Sequence, residues 1–167
     1  LAEILVNIFE SQGQIVKLVK ISIAVEVTKT TSPNTLFRRN SLATKIMTLF
    51  AHYAGHDYLH EALLPVLRGL LSGTGENVTF EVDPSKLPAG LSEEEKEQVL
   101  GSSRERISTL VSDVLDRLVA TVPLLPTAFR EICGFLLCAV DKKFPDHAVT
   151  AVGSFMFLRF FCPALVS

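Results

Sequence analysis

The chain has 167 residues, 48% of them hydrophobic and 20% charged, with a formal net charge of −2. That is enough apolar chain for a sizeable core, which excludes an intrinsically disordered polymer. It also leaves no overall basic field, so nucleic acid is not an expected partner.

The chain opens on the helical spacing of Leu1, Ile4, Leu5 and Ile8. Gly13 is the only turn signal before "KISIAVEV", where Ile21, Ile23, Val25 and Val27 alternate as in a strand. A lone strand has nothing to pair with in an otherwise helical chain, so a helix is predicted here. "TKTTSPNTLFRRN" follows as a polar loop around Pro33. Leu42, Ile46, Leu49, Phe50 and Tyr53 then fall on one helical stripe, and Leu59, Leu63, Val66, Leu67 and Leu70 on another, with Pro65 expected to kink the helix. Residues 72–106 read as a long excursion rich in Gly, Pro and charge, in which Ser92 and Glu95 fit a capping box for a short helix.

The cleanest stripe runs through Ile107, Leu110, Val111, Val114, Leu115, Leu118, Val119 and Val122. Pro126 suits the start of a further helix carrying Phe129, Ile132, Cys133, Leu136, Leu137 and Val140. Asp146 is placed to cap a last helix that runs to about Phe161, before Pro163. The expected fold is all-α, without significant β-sheet, as a single domain over 1–167. The ends "LAEILVNIF" and "CPALVS" begin and stop mid-pattern, so the expectation is the central part of a domain inside a larger multidomain protein.

Several constellations are weighed against plainer readings. His52, His56 and His60 have the i, i+4, i+8 spacing that aligns three imidazoles. Gly55 and Asp57 between them suggest a helix end and a new cap, which breaks the alignment, so no metal site is expected. Cys133, Cys138 and Cys162 form an odd set without CxxC spacing and read as reduced core thiols of a cytosolic protein. "GTGENV" lacks the GxxxxGK[ST] frame of a phosphate loop. From Ala148 to Val166 the only charge is Arg159, which at a bilayer centre costs at least ~2.5 kcal/mol. A core helix is therefore expected and not a transmembrane segment. A guanidinium buried there needs several acceptors, and the carbonyls of a nearby loop would serve.

"TLFRRNSLATKIM" and "AVGSFMFLRFFCPALVS" resemble the two signature segments of the Ras GTPase-activating domain, in its neurofibromin-like and fungal form. "LAEILVNIFE", "YLHEALLPVLRGLL", "FEVDPSKL" and "PTAFREICGFLL" resemble intervening parts of that domain in the right order, so the likeness covers nearly the whole chain. The resemblance implies an all-helical fold and a GTPase activator, not an enzyme in its own right. The activator stimulates GTP hydrolysis by Ras-family small GTPases in the GTP-bound state by inserting an arginine finger in trans. No cofactor of its own is implied, since the partner holds GTP and Mg²⁺. The implied location is cytoplasmic, at the inner face of membranes where Ras is anchored. The alternative is a non-catalytic helical module that binds a small GTPase.

By the family's Leu-Phe-Arg register the finger is Arg38, set by Leu36 and Phe37. Arg39 stands where the neurofibromin type has glycine, which makes a positive φ there costly; alternatively Arg39 pairs with acidic groups on the GTPase. Asn40, Ser41 and Lys45 match residues that shape the loop and flank the binding groove. Arg159 matches the arginine that braces the finger loop, Leu158 beside it offers an apolar contact to the switch II region, and Pro163 follows in the same segment. Cys162 replaces a polar amide residue of the neurofibromin type.

Overall fold

Helix is the only regular structure in the computed structural model, which describes residues 1–73 and 79–166. The principal helices are α1 (Ala2–Ser11), α2 (Ile15–Lys29), α3 (Leu42–Gly73), α4 (Glu93–Thr121), α5 (Thr127–Asp141), α6 (Ala148–Met156) and α7 (Cys162–Val166). The predicted all-α class is what is observed. "KISIAVEV" lies within α2, where Val19, Ile23 and Val27 are buried at i, i+4, i+8 while Ile21 and Val25 face outward. The alternation is thus a helical stripe with apolar residues left on the far side. Gly13 makes the turn from α1 to α2 with φ = 64°, a conformation that strains a side chain with a Cβ.

The chain divides into two compact units, Leu1–Leu59 with Leu124–Ser167, and His60–Pro123. In the first, Phe129 is the hub of the core. Its ring centroid lies 5.1 Å from Phe50, 6.1 Å from Phe155 and 4.6 Å from Phe160, so α3, α5 and α6 share one aromatic cluster. Val19, Ile23, Ile46, Met47, Ile132, Leu136 and Val140 are fully buried beside it. On the surface of the same unit Lys20 bonds Glu131 at 2.6 Å, tying α2 to α5.

Several local expectations change. α3 does not end at Gly55. A Cβ at that position would lie 2.2 Å from Cε2 and 2.4 Å from Cζ of Phe160. The glycine therefore admits an aromatic ring and does not stop the helix. His52, His56 and His60 are exposed on this continuous helix, and among the described residues no group of His, Cys, Asp or Glu is arranged to hold a metal ion. Asp146 lies in a 3₁₀ turn, Pro145–His147, and His147 takes the capping position of α6 without a side-chain bond. Nor does Pro163 stop the last helix. Phe157–Phe161 widens into a π-helical turn, in which the Cys162 N–H reaches Phe157 O. Such a turn displaces the carbonyls that a proline ring would strike in a regular α-helix, so α7 continues through Pro163 to Val166.

Pro145–Leu165 is long and apolar enough to cross a membrane by length and composition, but 28% of its apolar window is buried. Ala148, Ala151, Phe155, Phe160 and Phe161 form the inner stripe, whereas Val149, Phe157 and Leu158 are exposed. The core helix expected here is therefore buried along one side only. The thiols also differ from expectation. Cys138 and Cys162 are exposed, and only Cys133 is sheltered, its pKa raised to about 11 by burial.

In the second unit the excursion expected over 72–106 ends at Ser92. Residues 74–78, which hold most of "GTGENV", lie outside the described residues. Ser92 and Glu95 do form the capping box, on a helix of 29 residues and not a short one. Gly101, Ser102 and Ser103 resemble loop sequence, yet buried Leu100 and Ser103 keep them helical. Ser103 Oγ donates to Thr79 O at 3.2 Å, so tertiary contact overrides the weak propensity. The stripe on α4 is less buried than its regularity suggests: Leu118 is inside, but Val111, Leu115, Val119 and Val122 are exposed.

Pro65 sits inside α3. Lacking an N–H, it leaves the carbonyl four residues earlier, that of Glu61, without its helical donor. Arg117 Nη2 donates to this oxygen at 3.1 Å. Arg117→Ala is expected to lower the stability of the domain in urea by ~1 kcal/mol, and by much less in a Pro65→Ala background, where the helical donor returns. Equal losses in the two backgrounds would show that Arg117 acts elsewhere.

Candidate functional site

The link between α2 and α3 is a tight loop held by short-range bonds. Pro33–Thr35 forms a 3₁₀ turn, with Thr35 N donating to Ser32 O at 3.1 Å and Leu36 N to Pro33 O at 3.1 Å. Arg38 N then donates to Thr35 O at 3.3 Å. Leu36 and Phe37 turn inward and are 5% and 3% exposed. Their buried side chains anchor the loop.

Phe37 carries the strain. Its φ of 55° makes it the only non-glycine residue with positive φ among the described residues. A left-handed conformation costs an ordinary residue ~1–2 kcal/mol and persists only where its surroundings impose it. Two observations supply the imposition: the ring is buried, and Arg159 Nη2 donates to Phe37 O at 3.0 Å across 122 residues of sequence. Arg39, by contrast, is not in the positive-φ region, so a side chain at the family's glycine position meets no backbone penalty.

Arg159 reaches the loop from the π-helical turn. Phe160 and Phe161, both buried, lie 4.9 Å apart with tilted rings, and Phe160 stacks on Tyr58 at 6.1 Å, which holds the turn against α3. The Arg159 Nε is buried without a partner among the described residues. Its bond to Phe37 therefore offsets part of the burial of the guanidinium. Leu158, next to it, is 55% exposed, and Pro163 is half-buried.

Arg38, Arg39 and Asn40 are exposed. Among the described residues neither guanidinium forms an ion pair or side-chain hydrogen bond. Arg38 lies beside a narrow cleft with Pro33, Leu36, His147, Thr150 and Ser154, none of them a carboxylate. Its charge is presented to solvent next to a rigid, strained turn.

The exit of the loop is fixed by α3. Ser41 Oγ accepts from Thr44 N at 3.2 Å and caps the helix. Thr44, 1% exposed, directs its hydroxyl at Arg39 O (2.9 Å) and Ser41 O (3.0 Å). Sequence reading passed over Thr44, although a Ser followed three residues later by Thr at a helix start is a recognisable capping signal. A groove of about 720 Å³ opens beside the loop, lined by Asn40, Leu42, Thr44, Lys45, Thr48 and Arg159 among others. The groove thus holds the cations Lys45 and Arg159 and the amide of Asn40, with one carboxylate, Glu3.

The family described as GTPase-activator protein for Ras-like GTPase, RasGAP, matches residues 18–167. The inhibitory regulator protein IRA2 of Saccharomyces cerevisiae is 34% identical over 163 residues, covering 98% of this chain and 5% of that protein. The human RasGAP-activating-like protein 1 is 33% identical over 179 residues, covering 100% and 22%. The Ras GTPase-activating protein 3 of Bos taurus is 34% identical over 166 residues, covering 98% and 19%. The chain thus spans under a quarter of the length of each of these relatives.

Proposed function

Because the chain belongs to the RasGAP family of GTPase-activator proteins for Ras-like GTPases, we propose that it stimulates GTP hydrolysis by a Ras-family GTPase through an arginine finger, Arg38. The observation that carries this reading is the exposed Arg38, unpaired among the described residues, directly after a strained residue pinned by Arg159. A loop arginine with no such support would be a solvated charge that loses side-chain entropy on every encounter. Here the backbone cost is met within the fold, and only the guanidinium itself remains to be ordered.

The chemistry follows from charge. Hydrolysis spreads developing negative charge over the phosphate oxygens, and the GTPase supplies Mg²⁺ and its own phosphate-binding loop. A guanidinium is planar, permanently charged and able to donate to two oxygens at once. Delivered into a water-excluded interface, it stabilises the transition state more than the ground state. Arg38 fills that role, Arg159 positions it, and Leu158, Asn40, Ser41, Lys45 and Arg39 meet the GTPase around it. Leu36 and Phe37 act through the backbone. The domain brings no cofactor, since GTP and Mg²⁺ arrive with the partner in its GTP-bound state. Its place is the cytoplasm, at membranes where such GTPases are anchored, within a longer multidomain protein.

Single-turnover GTP hydrolysis by a panel of Ras-type GTPases, with and without the domain, tests the reading. Binding without acceleration of any member would leave a non-catalytic GTPase-binding module. Arg159→Ala is expected to lower the maximal rate about tenfold at near-normal affinity, since it frees the Phe37 carbonyl without touching phosphate. An unchanged rate would remove Arg159 from the mechanism.

A further inference from the structure

The loop carrying Arg38 begins at a second cation. α2 ends at Lys29, where its last carbonyls run out of helical partners. The N–H and hydroxyl of Thr30 both go to Glu26 O, at 3.0 and 2.7 Å. Of the carbonyls beyond it, Lys143 Nζ takes three, those of Val27, Thr28 and Thr30, at 2.9, 2.8 and 2.7 Å. An ammonium has three N–H donors, so this set uses each of them, at the end of a helix where the dipole favours a cation. The lysine is itself set on a firm base. Its N–H and that of Phe144 both bond Val140 O, at 3.0 and 2.7 Å, in the turn that closes α5, and its ammonium lies 5.4 Å from the Phe144 ring.

Thr30 is the first residue of the loop. From it the turn bonds at Ser32, Pro33 and Thr35 follow one another to Arg38 N, and Arg159 holds the carbonyl just before the finger. We infer that Lys143 is a positioning residue for Arg38, fixing where the finger loop starts as Arg159 fixes where it ends. The proposal rests on the reading of Arg38 as the finger. Two cations from the C-terminal half of the chain then define a short, closed segment, and the reach of Arg38 depends on both. Lys143 is exposed, so each bond competes with water and the expected effects are moderate.

Trypsin tests the tether without any GTPase, because Arg38 and Arg39 are themselves exposed cleavage sites. In Lys143→Met, cleavage at Arg38 and Arg39 is expected to run about fivefold faster, as local opening becomes easier, with cleavage at Arg104 in α4 unchanged. Lys143→Arg, which keeps charge and donors, should recover most of the protection. An unchanged rate at Arg38 and Arg39, or an equal rise at Arg104, would overturn the tether. In single-turnover assays Lys143→Met is expected to lower the maximal rate about fivefold at unchanged half-saturation by the GTPase, and to change nothing further in an Arg38→Ala background. An equal loss in that background, or a loss confined to half-saturation, would assign Lys143 to stability or to binding and end its finger role. Protection by Lys143 in a wild-type domain that accelerates no GTPase would instead remove the functional reading, and the finger role with it, leaving only the tether.

Discussion

Arg38→Ala is expected to reduce the stimulation of GTP hydrolysis by about a thousandfold while leaving the melting temperature within a degree or so of wild type. The scale is the known one for arginine fingers in Ras with its activating proteins, taken over from that system; it corresponds to ~4 kcal/mol of transition-state stabilisation. The absence of a stability effect follows from the structure. Arg38 is exposed and has no ion pair or side-chain hydrogen bond among the described residues, so its loss uncovers no buried group. Arg39→Ala, measured beside it, is expected to change the rate only a few-fold, by weakening contact with acidic groups on the partner. Arg38→Lys should recover little, because an ammonium does not reproduce two coplanar donors. Reversed sensitivities, with Arg39→Ala the inactive variant, would shift the register of the finger by one residue.

Gly55→Ala carries the largest expected loss of stability, on the order of 3 kcal/mol, or roughly 10 °C in thermal unfolding. The added Cβ would fall 2.2 Å and 2.4 Å from two carbons of the Phe160 ring and 3.0 Å from Phe129 Cζ. Phe160 is 2% exposed and cannot swing into solvent, so the strain passes into the π-helical turn. Arg159 precedes Phe160 in that turn, and a shift there loosens its bond to Phe37. The variant should therefore lose stability and maximal rate together. Shrinking the obstacle, as in Gly55→Ala with Phe160→Leu, should restore part of both. Were Gly55 a mere flexible point in an exposed helix, alanine would stabilise by ~1 kcal/mol, so the sign of the change decides between the two.

What could be read from the sequence was local. Period-3.6 stripes, Ser92 with Glu95, and Pro126 before α5 each report relations among residues a few positions apart, which hold whatever the rest of the chain does. They were enough for the all-α class; at Ile21–Val27 the local alternation pointed to a strand, and helix followed only from the lack of a partner strand elsewhere in the chain. A lone arginine among apolar residues was likewise enough to demand a carbonyl partner for Arg159. The same local rules misjudged Gly55, Ser103 and Pro163, because in each case a distant group, or a widened turn, supplied what the local signal lacked.

By itself, then, the sequence determined where helices form and which arginines stand in unusual company, since both follow from spacing and from the cost of burying charge. Only the tertiary structure decided which cations find carbonyl partners and which faces solvent without one among the described residues. Arg159 finds its carbonyl 122 residues away and Lys143 finds one of its three 116 residues away. The first pairing exists because Phe160, next to Arg159, packs into the aromatic cluster around Phe129, and the second because α2 packs against α5. A charge whose acceptors are brought by such packing is held, and Arg38, which meets none among the described residues, is left facing solvent.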